Sequence, residues 1–442
     1  RMSLDKDSLQ LWGQPGFDLY ASYALDSREF SASALLVSTQ LAPYFRILGL
    51  ESFTGEIDGN IEASGRIGYP DSIEVDAELT DLAISDDDRE LLSASGIRAS
   101  LSDGELQLPQ TGLEVLGGGR LYLEGQGSLN GNITVLLQGD IPAAMISPFW
   151  DFDDELEGTL KIDARLEGPA ENRSVSGSLD LDNIAFYLPG IAQKLENVSG
   201  RIVMDSNLIR TDRIQGNIEE GDFNLSGSVR TAGLRPSMYD IKITTSSLPI
   251  ELRSRMSLVM DSTFSLKGPF GRPELDGRIN LLNGIYYKDV ELSLLKALSD
   301  REREVSPESF TGRLSYLNNV KLDILVRSRR SIRVENNLAM MSLAPDLRIR
   351  GSLGNPVITG RASVEDGIVT YRRTEFRIQT GVVDFINPYR TEPTIDIEAE
   401  TEVRDWQITL NVSGTLDNLD FRLNSDSSAN QADLLSLLLL GK

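Results

Sequence analysis

Strict alternation of apolar and polar residues constrains this chain more than any other feature. Ile395, Ile397, Ala399, Thr401 and Val403 share one parity, and Asp396, Glu398, Glu400 and Glu402 share the other. Successive side chains on a strand point to opposite faces, so such a run is a strand with one buried face. After Arg404 and Asp405 the parity shifts, and Trp406, Ile408, Leu410 and Val412 alternate with Gln407, Thr409, Asn411 and Ser413. That shift predicts a second strand joined to the first by a tight turn. The same pattern selects Leu160, Ile162, Ala164 and Leu166; Ile279 and Leu281; Leu322, Ile324 and Val326; Leu347 and Ile349; and Phe421 and Leu423. Gly, Pro, Asn and Asp punctuate these runs about every ten residues, as turns between antiparallel strands require.

Helical spacing is confined to short pieces at 41–50, 143–150, 292–298 and 431–440, and none resembles a crossover helix in a regular βαβ series. The expectation is therefore an all-β chain of about thirty strands, mostly antiparallel, with a few short helices. That is too many strands for one sandwich. An internal repeat resolves the difficulty. Gly168-Pro169 leads through Gly177 to Asp182-Asn183-Ile184, Gly268-Pro269 through Gly277 to Asn283-Gly284-Ile285, and Gly351 through Pro356 and Gly360 to Asp366-Gly367-Ile368; a looser copy runs from Gly65 to Asp81-Leu82-Ala83. Each copy reads as strand end, turn, strand and an Asn/Asp-Gly-type hairpin turn. Stacked hairpins make one long sheet, which must hide its apolar face by curling on itself or against a ligand. The expected organisation is one continuous sheet over 1–442, in approximate units 1–140, 141–267, 268–350 and 351–442, cut from a native chain that extends beyond both ends.

The chain has no cysteine and no histidine, which removes thiol nucleophiles, disulfides, Ser-His-Asp triads and Cys/His zinc sites. Acidic side chains recur on the polar parity throughout, so no two stand out as an acid/base couple, and no catalytic, cofactor or metal residues are assigned. With 43 basic against 67 acidic residues the net charge is −24, which repels phosphate backbones and argues against nucleic acid as a partner. Nearly all of the negative excess falls in the first 300 residues. Asp86-Asp87-Asp88 and the cluster of Asp151, Asp153, Asp154 and Glu155 offer oxygen donors to calcium. Neither has the glycine and distal glutamate of an EF-hand loop, and both read as solvated acidic loops. The basic cluster Arg327, Arg329, Arg330 and Arg333 leaves two readings open, a headgroup or partner contact and an exposed strand blunted by charge. The longest leucine-rich stretch, Leu434 to Leu440, has only seven residues, too few to cross a membrane. Its Leu434, Leu435, Leu437 and Leu438 are candidate partner-contact residues, with plugging of a sheet end as the alternative.

The order of several motifs carries a family resemblance. Ile358-Thr359-Gly360, Asp366-Gly367-Ile368-Val369-Thr370-Tyr371, Gly381-Val382-Val383-Asp384-Phe385, Glu392-Pro393-Thr394-Ile395, Val412-Ser413-Gly414-Thr415-Leu416 and Ala432-Asp433-Leu434-Leu435 follow one another as in the C-terminal domain of the TamB family, within the AsmA-like group. The stretches 41–59 and 141–160 resemble the short-helix-then-strand units upstream in that family. Two departures stand out: 424–429 lacks a Ser-Pro pattern, and the sequence stops at Gly441-Lys442 where relatives continue.

The resemblance implies an elongated, curled, U-shaped groove with a hydrophobic interior. It implies a non-catalytic protein of the bacterial periplasm, anchored in the inner membrane outside this segment and working with TamA, an Omp85-type outer-membrane barrel. Two roles are implied, conduction of phospholipid between the membranes and assembly of outer-membrane β-barrel proteins. Under the first, the groove lining would be Leu160, Ile162, Leu166, Ile279, Leu281, Leu322, Ile324, Val326, Leu347, Ile349, Ile395, Ile397, Trp406, Ile408, Leu410, Val412, Phe421 and Leu423. An open groove would also let an arginine at 408 lie along the wall with its head in water. The rival from another class is an extracellular β-solenoid enzyme acting on acidic polysaccharide, whose parallel rungs the hairpin signals argue against.

Overall fold

A computed structural model of the chain describes residues 2–5, 8–13, 16–47, 50–86, 89–128, 131–149, 156–169, 173–188, 192–233, 235–252, 256–287, 318–387, 393–403, 406–415 and 418–426. They form one sheet of 26 strands, β1 (Met2–Asp5) to β26 (Asn418–Ser425), with a single short α-helix, α1 (Ala42–Ile47), among the described residues. The first eighteen strands are laid down in chain order, each antiparallel to the one before, as tight turns between alternating runs dictate.

The order changes once. β18 (Glu274–Tyr286) pairs in parallel with both β19 (Lys321–Ser328) and β20 (Ile332–Glu335), which together act as one interrupted rung. Both of these pair antiparallel with β21 (Ala339–Ser352), and the simple succession then resumes to β26. A parallel pair needs a connection that returns to the starting side of the sheet, and between β18 and β19 the chain passes through 288–317, outside the described residues. Among the described residues no pairing joins β1 to β26, so the sheet stays open. Element contacts run almost wholly between neighbouring rungs, and the exposed surface is 27078 Å², against about 17000 Å² for a compact monomer of this mass. The all-β curled sheet expected from the alternation is present, and the object is long and thin.

Antiparallel succession puts successive connections on alternate sides, so the strands run between two long lips. One carries α1 and the 3-10 segments Leu116–Gly118 and Ala143–Phe149, and is called the helical lip here. The other, the turn lip, carries tight turns such as those after Gly268 and Gly351.

The Asn/Asp-Gly signals do not mark hairpin turns, as expected from the repeat. Asp182-Asn183-Ile184 lies inside β12 (Ser174–Tyr187), Asn283-Gly284-Ile285 inside β18, Asp366-Gly367-Ile368 inside β22 (Asn355–Tyr371), and Asp81-Leu82-Ala83 inside β6 (Tyr69–Asp86). Register shifts lie beside all four motifs, and at Asn183 the positive φ serves a bulge rather than a turn. The strands are accordingly fewer and longer than the punctuation suggested. Three bulges share one device. In β4 (Glu29–Gln40) the register slips between Leu36 and Thr39, Ser38 has φ 45°, and its N–H donates to Asp58 Oδ1 at 2.7 Å on β5 (Phe53–Arg66). In β12, Asn183 at φ 57° donates to Ser199 Oγ at 3.2 Å on β13 (Lys194–Ser206). In β16 (Arg235–Leu252), Ser247 at φ 50° donates to Asp261 Oδ1 at 2.9 Å on β17 (Met256–Pro269). Each extra residue would leave an N–H outside the ladder, and the next strand's side chain accepts it. Each also flips the parity: Ile241, Ile243 and Thr245 face inward before the bulge, Leu248 and Ile250 after it.

The outer face carries cross-strand ion pairs. Asp180 with Arg201, Asp323 with Arg348 and Asp384 with Arg361 are each joined by two N–H···O bonds, and Lys321 reaches Glu274 at 3.2 Å across the parallel pair. Hydrogen bonding from the guanidinium holds each of the three aspartates below its ordinary carboxyl value. A depressed carboxyl contributes stability in full above the unfolded value of 3.8, and that contribution is lost as pH falls through the lower folded value. Urea midpoints are therefore expected to fall on acidification below about pH 4, and to fall less steeply in a variant carrying Asp180→Asn, Asp323→Asn and Asp384→Asn. Equal slopes would remove these pairs from the acid response.

Gly177 on β12 has φ 134°, and a methyl group there would lie 2.0 Å from the Asp163 carbonyl oxygen. Gly177→Ala is expected to lower stability by about 1–3 kcal/mol in chemical denaturation. Gly271→Ala, where the added methyl meets nothing within 4 Å, is expected to be nearly silent.

Candidate functional site

The inward face of the sheet is an apolar trough running the length of the rungs. All eighteen residues expected to line it lie on that face, buried or half-buried. Leu160, Ile162 and Leu166 sit on β11 (Glu157–Gly168), while Lys161, Asp163 and Arg165 between them are exposed. Ile279 and Leu281 lie on β18, Leu322, Ile324 and Val326 on β19, and Leu347 and Ile349 on β21, in one apolar cluster at the parallel junction. Ile395 and Ile397 on β24 (Thr394–Val403), Trp406, Ile408, Leu410 and Val412 on β25 (Trp406–Thr415), and Phe421 and Leu423 on β26 belong to another. Val403 pairs with Trp406, as the tight turn between the two runs requires.

Enclosure differs from place to place. Beyond the bulges, toward the helical lip, inward residues are fully buried: Ile184, Leu195, Ile218, Leu248 and Ile250 belong to the largest cluster. The 3-10 segment after Pro142 folds in over them, with Ala143 buried and Met145 and Ile146 packed on the same cluster. The helical lip is also drawn together by the loop before β13. Ala192 N–H donates to the Glu251 carbonyl at 3.2 Å, and Glu251 N–H donates to Gln193 Oε1 at 2.9 Å, linking β13 to the end of β16 three rungs away. Before the bulges, toward the turn lip, the inward Leu179, Ile202, Val229 and Ile241 are only half-buried. The alternation did not single out these four, because Gly177, Gly200 and Gly227 and their serine neighbours dilute the pattern around them. The trough thus gapes along the turn lip. Within this stretch the hydroxyls of Thr245 and Ser262 form a part-buried pair at 2.8 Å.

At the C-terminal end the wall is not open to water. Ile408 and Leu410 are 0% exposed, so an arginine at 408 has no route to solvent along the wall, contrary to the expectation. The reason is curvature, which brings β22 and β26 together until the Tyr371 and Phe421 rings stack with centroids 4.9 Å apart.

The other singled-out residues fall as follows. Asp86 accepts a hydrogen bond from Ser52, and Asp87, Asp88, Asp151, Asp153, Asp154 and Glu155 lie outside the described residues, as do Leu434, Leu435, Leu437 and Leu438. Among the described residues no group of three or more acidic side chains is placed to hold a metal ion. Arg327 pairs with Asp346 and Arg333 with Glu335, and Arg329 and Arg330 are exposed at the bend between β19 and β20. No described helix is long and apolar enough to cross a membrane.

Comparison with known families matches the TamB C-terminal domain to residues 210–442, more than half of the chain. The chain belongs to the TamB family. The TamB match begins inside β14 (Leu208–Ile218), with residues on both sides of position 210 paired to β13, Ile209 to Met204 and Ile214 to Gly200. Residues 140, 267 and 350, where the sequence units were divided, likewise fall inside β10 (Ile133–Pro142), β17 and β21. A curated relative, Protein SUBSTANDARD STARCH GRAIN 4, chloroplastic, of Oryza sativa subsp. japonica, is 22% identical over 145 residues. That is 32% of this chain and 7% of the relative, so the chain spans a small part of that protein's length. TamB proteins are a non-enzymatic family of the bacterial envelope, concerned with lipid transport or outer-membrane protein assembly.

The burial at Ile408 leads to a direct expectation. Ile408→Arg places an unpaired charge where no water reaches, and is expected to destabilise by about 3–5 kcal/mol. Thr409→Arg, on the outer parity, is expected to stay within about 0.5 kcal/mol of the parent. Melting of the two purified variants checks both, and equal melting temperatures would contradict a sealed wall at this rung.

Proposed function

We propose that the trough carries phospholipid acyl chains across the bacterial periplasm between the inner and outer membranes. The observation that carries this reading is the row of half-buried inward aliphatics along the turn lip, continuous over many rungs and backed by an outer face of charges. An acyl chain laid on that row leaves water at about 0.8 kcal/mol per buried methylene, while its headgroup stays at the open mouth. A chain can then slide from rung to rung without re-entering water, because neighbouring rungs offer equivalent apolar walls. Anchorage in the inner membrane outside this segment, and an Omp85-type TamA barrel at the outer membrane, complete the reading as the family suggests it.

A photo-crosslinking side chain at Ile202, Val229 or Ile241 is expected to capture phospholipid in cells. One at the adjacent outward Arg201, Arg230 or Lys242 is expected to capture none, because neighbours on a strand face opposite sides. Equal capture from both parities would sink the proposal. The second reading, assembly of outer-membrane proteins, has its own support: the outer side of β26 has no strand partner among the described residues and could accept one by strand addition. Capture of β-barrel precursors on β26, without lipid in the trough, would favour it.

A further inference from the structure

Upstream of the parallel junction the inward residues nearest the turn lip are half-open. Downstream, burial reaches that lip as well: Val383 and Ile395, near the turn lip, are each 8% exposed, while Phe385, Leu419 and Phe421 stay half-buried. Phe376 on β23 (Thr374–Phe385), Ala399 on β24, and Ile408 and Leu410 on β25 are each 0% exposed. They share one cluster with Ala362 on β22 and Leu423 on β26, so five consecutive rungs meet in a single core. The Tyr371 and Phe421 rings lie 4.9 Å apart with planes 14° from parallel, and their strands are separated by three others. Laid flat, four steps of about 4.8 Å would hold those strands about 19 Å apart, beyond the combined reach of two rings in such a stack. The last five rungs have therefore wrapped until the first meets the last. Alanine at 362 and 399, where bulkier residues stand on neighbouring rungs, lets the walls approach and leaves no space for a polymethylene chain.

We infer that this wrapped end closes the trough. Acyl chains occupy the interior only upstream of β22, and must leave there through the turn lip rather than run on to β26. The Tyr371–Phe421 stack is the latch that keeps the end shut, since it is the contact that spans the full width of the wrap. The inference rests on the trough being an acyl carrier, and it adds where the carried chain stops.

The test uses the unmodified chain with vesicles of phosphatidylethanolamine and phosphatidylglycerol, doped with a phospholipid that bears a diazirine midway along one acyl chain. After illumination, labelled residues are mapped by mass spectrometry. Label is expected on the inward residues of β12 to β18 and at background level on β23 to β25. In a Tyr371→Ala, Phe421→Ala variant, label is expected to extend into β23 to β25. Should that variant fail to fold, Phe421→Leu removes the ring and keeps apolar bulk at the same position. Label on β23 to β25 of the unmodified chain as strong as on β12 to β18 overturns the closed end and leaves the carrier reading standing. Absence of label from every inward residue overturns the carrier reading itself. Unchanged labelling in a folded variant overturns the latch.

Discussion

A single-layered sheet with one apolar face has nothing to pack against but itself, and everything else in this protein follows from that constraint. The ladder of backbone hydrogen bonds satisfies the main chain in every rung but does nothing for the apolar face. A second layer would bury it, yet the described residues supply only six helical residues in α1 and two 3-10 segments. Curling is the remaining solution, and the charged outer parity makes the direction of the curl unambiguous.

Bulges are what make that curl sharp. Twist alone bends a sheet gradually, whereas an extra residue bends the strand at one point and re-aims the side chains beyond it. With Ser38, Asn183 and Ser247 all placed toward the helical lip, the bend lies closer to that lip than to the other. The short side folds over and packs tightly, and the long side stays apart. The asymmetry between a packed lip and a gaping one is thus a consequence of where the extra residue sits along each rung. The side chains of Asp58, Ser199 and Asp261 keep it from costing a lost hydrogen bond.

Strand content and the inward parity were legible in the sequence because alternation is a local property, readable from runs such as Ile395 to Val403 without knowing their neighbours. Bulges were not legible as such. Asn183 and Gly367 satisfy the same demand for positive φ that a hairpin turn makes, and only the pairing register separates the two. The parallel junction was hidden for a related reason, since Leu322, Ile324 and Val326 alternate just as antiparallel strands do. Enclosure was the least legible property. Ile241 and Ile395 both face inward near the turn lip in equivalent patterns, yet one is half-open and the other buried, because exposure depends on how far the sheet has wrapped around that rung. The four half-open residues of the turn lip escaped notice because glycine and serine beside them weaken the apolar signal while permitting the bend.

Strand pairing confined to adjacent rungs makes this architecture a ruler with divisions. Removing or adding one hairpin changes the length by about 10 Å, keeps both lips in phase, and leaves every distant rung with the neighbours it had. A lone strand could not be inserted so freely, because it would send the following turn to the opposite lip. The parallel junction at β18 is the one place among the described residues where that phase is reset. Growth by hairpins changes the reach of such a chain without redesigning its core.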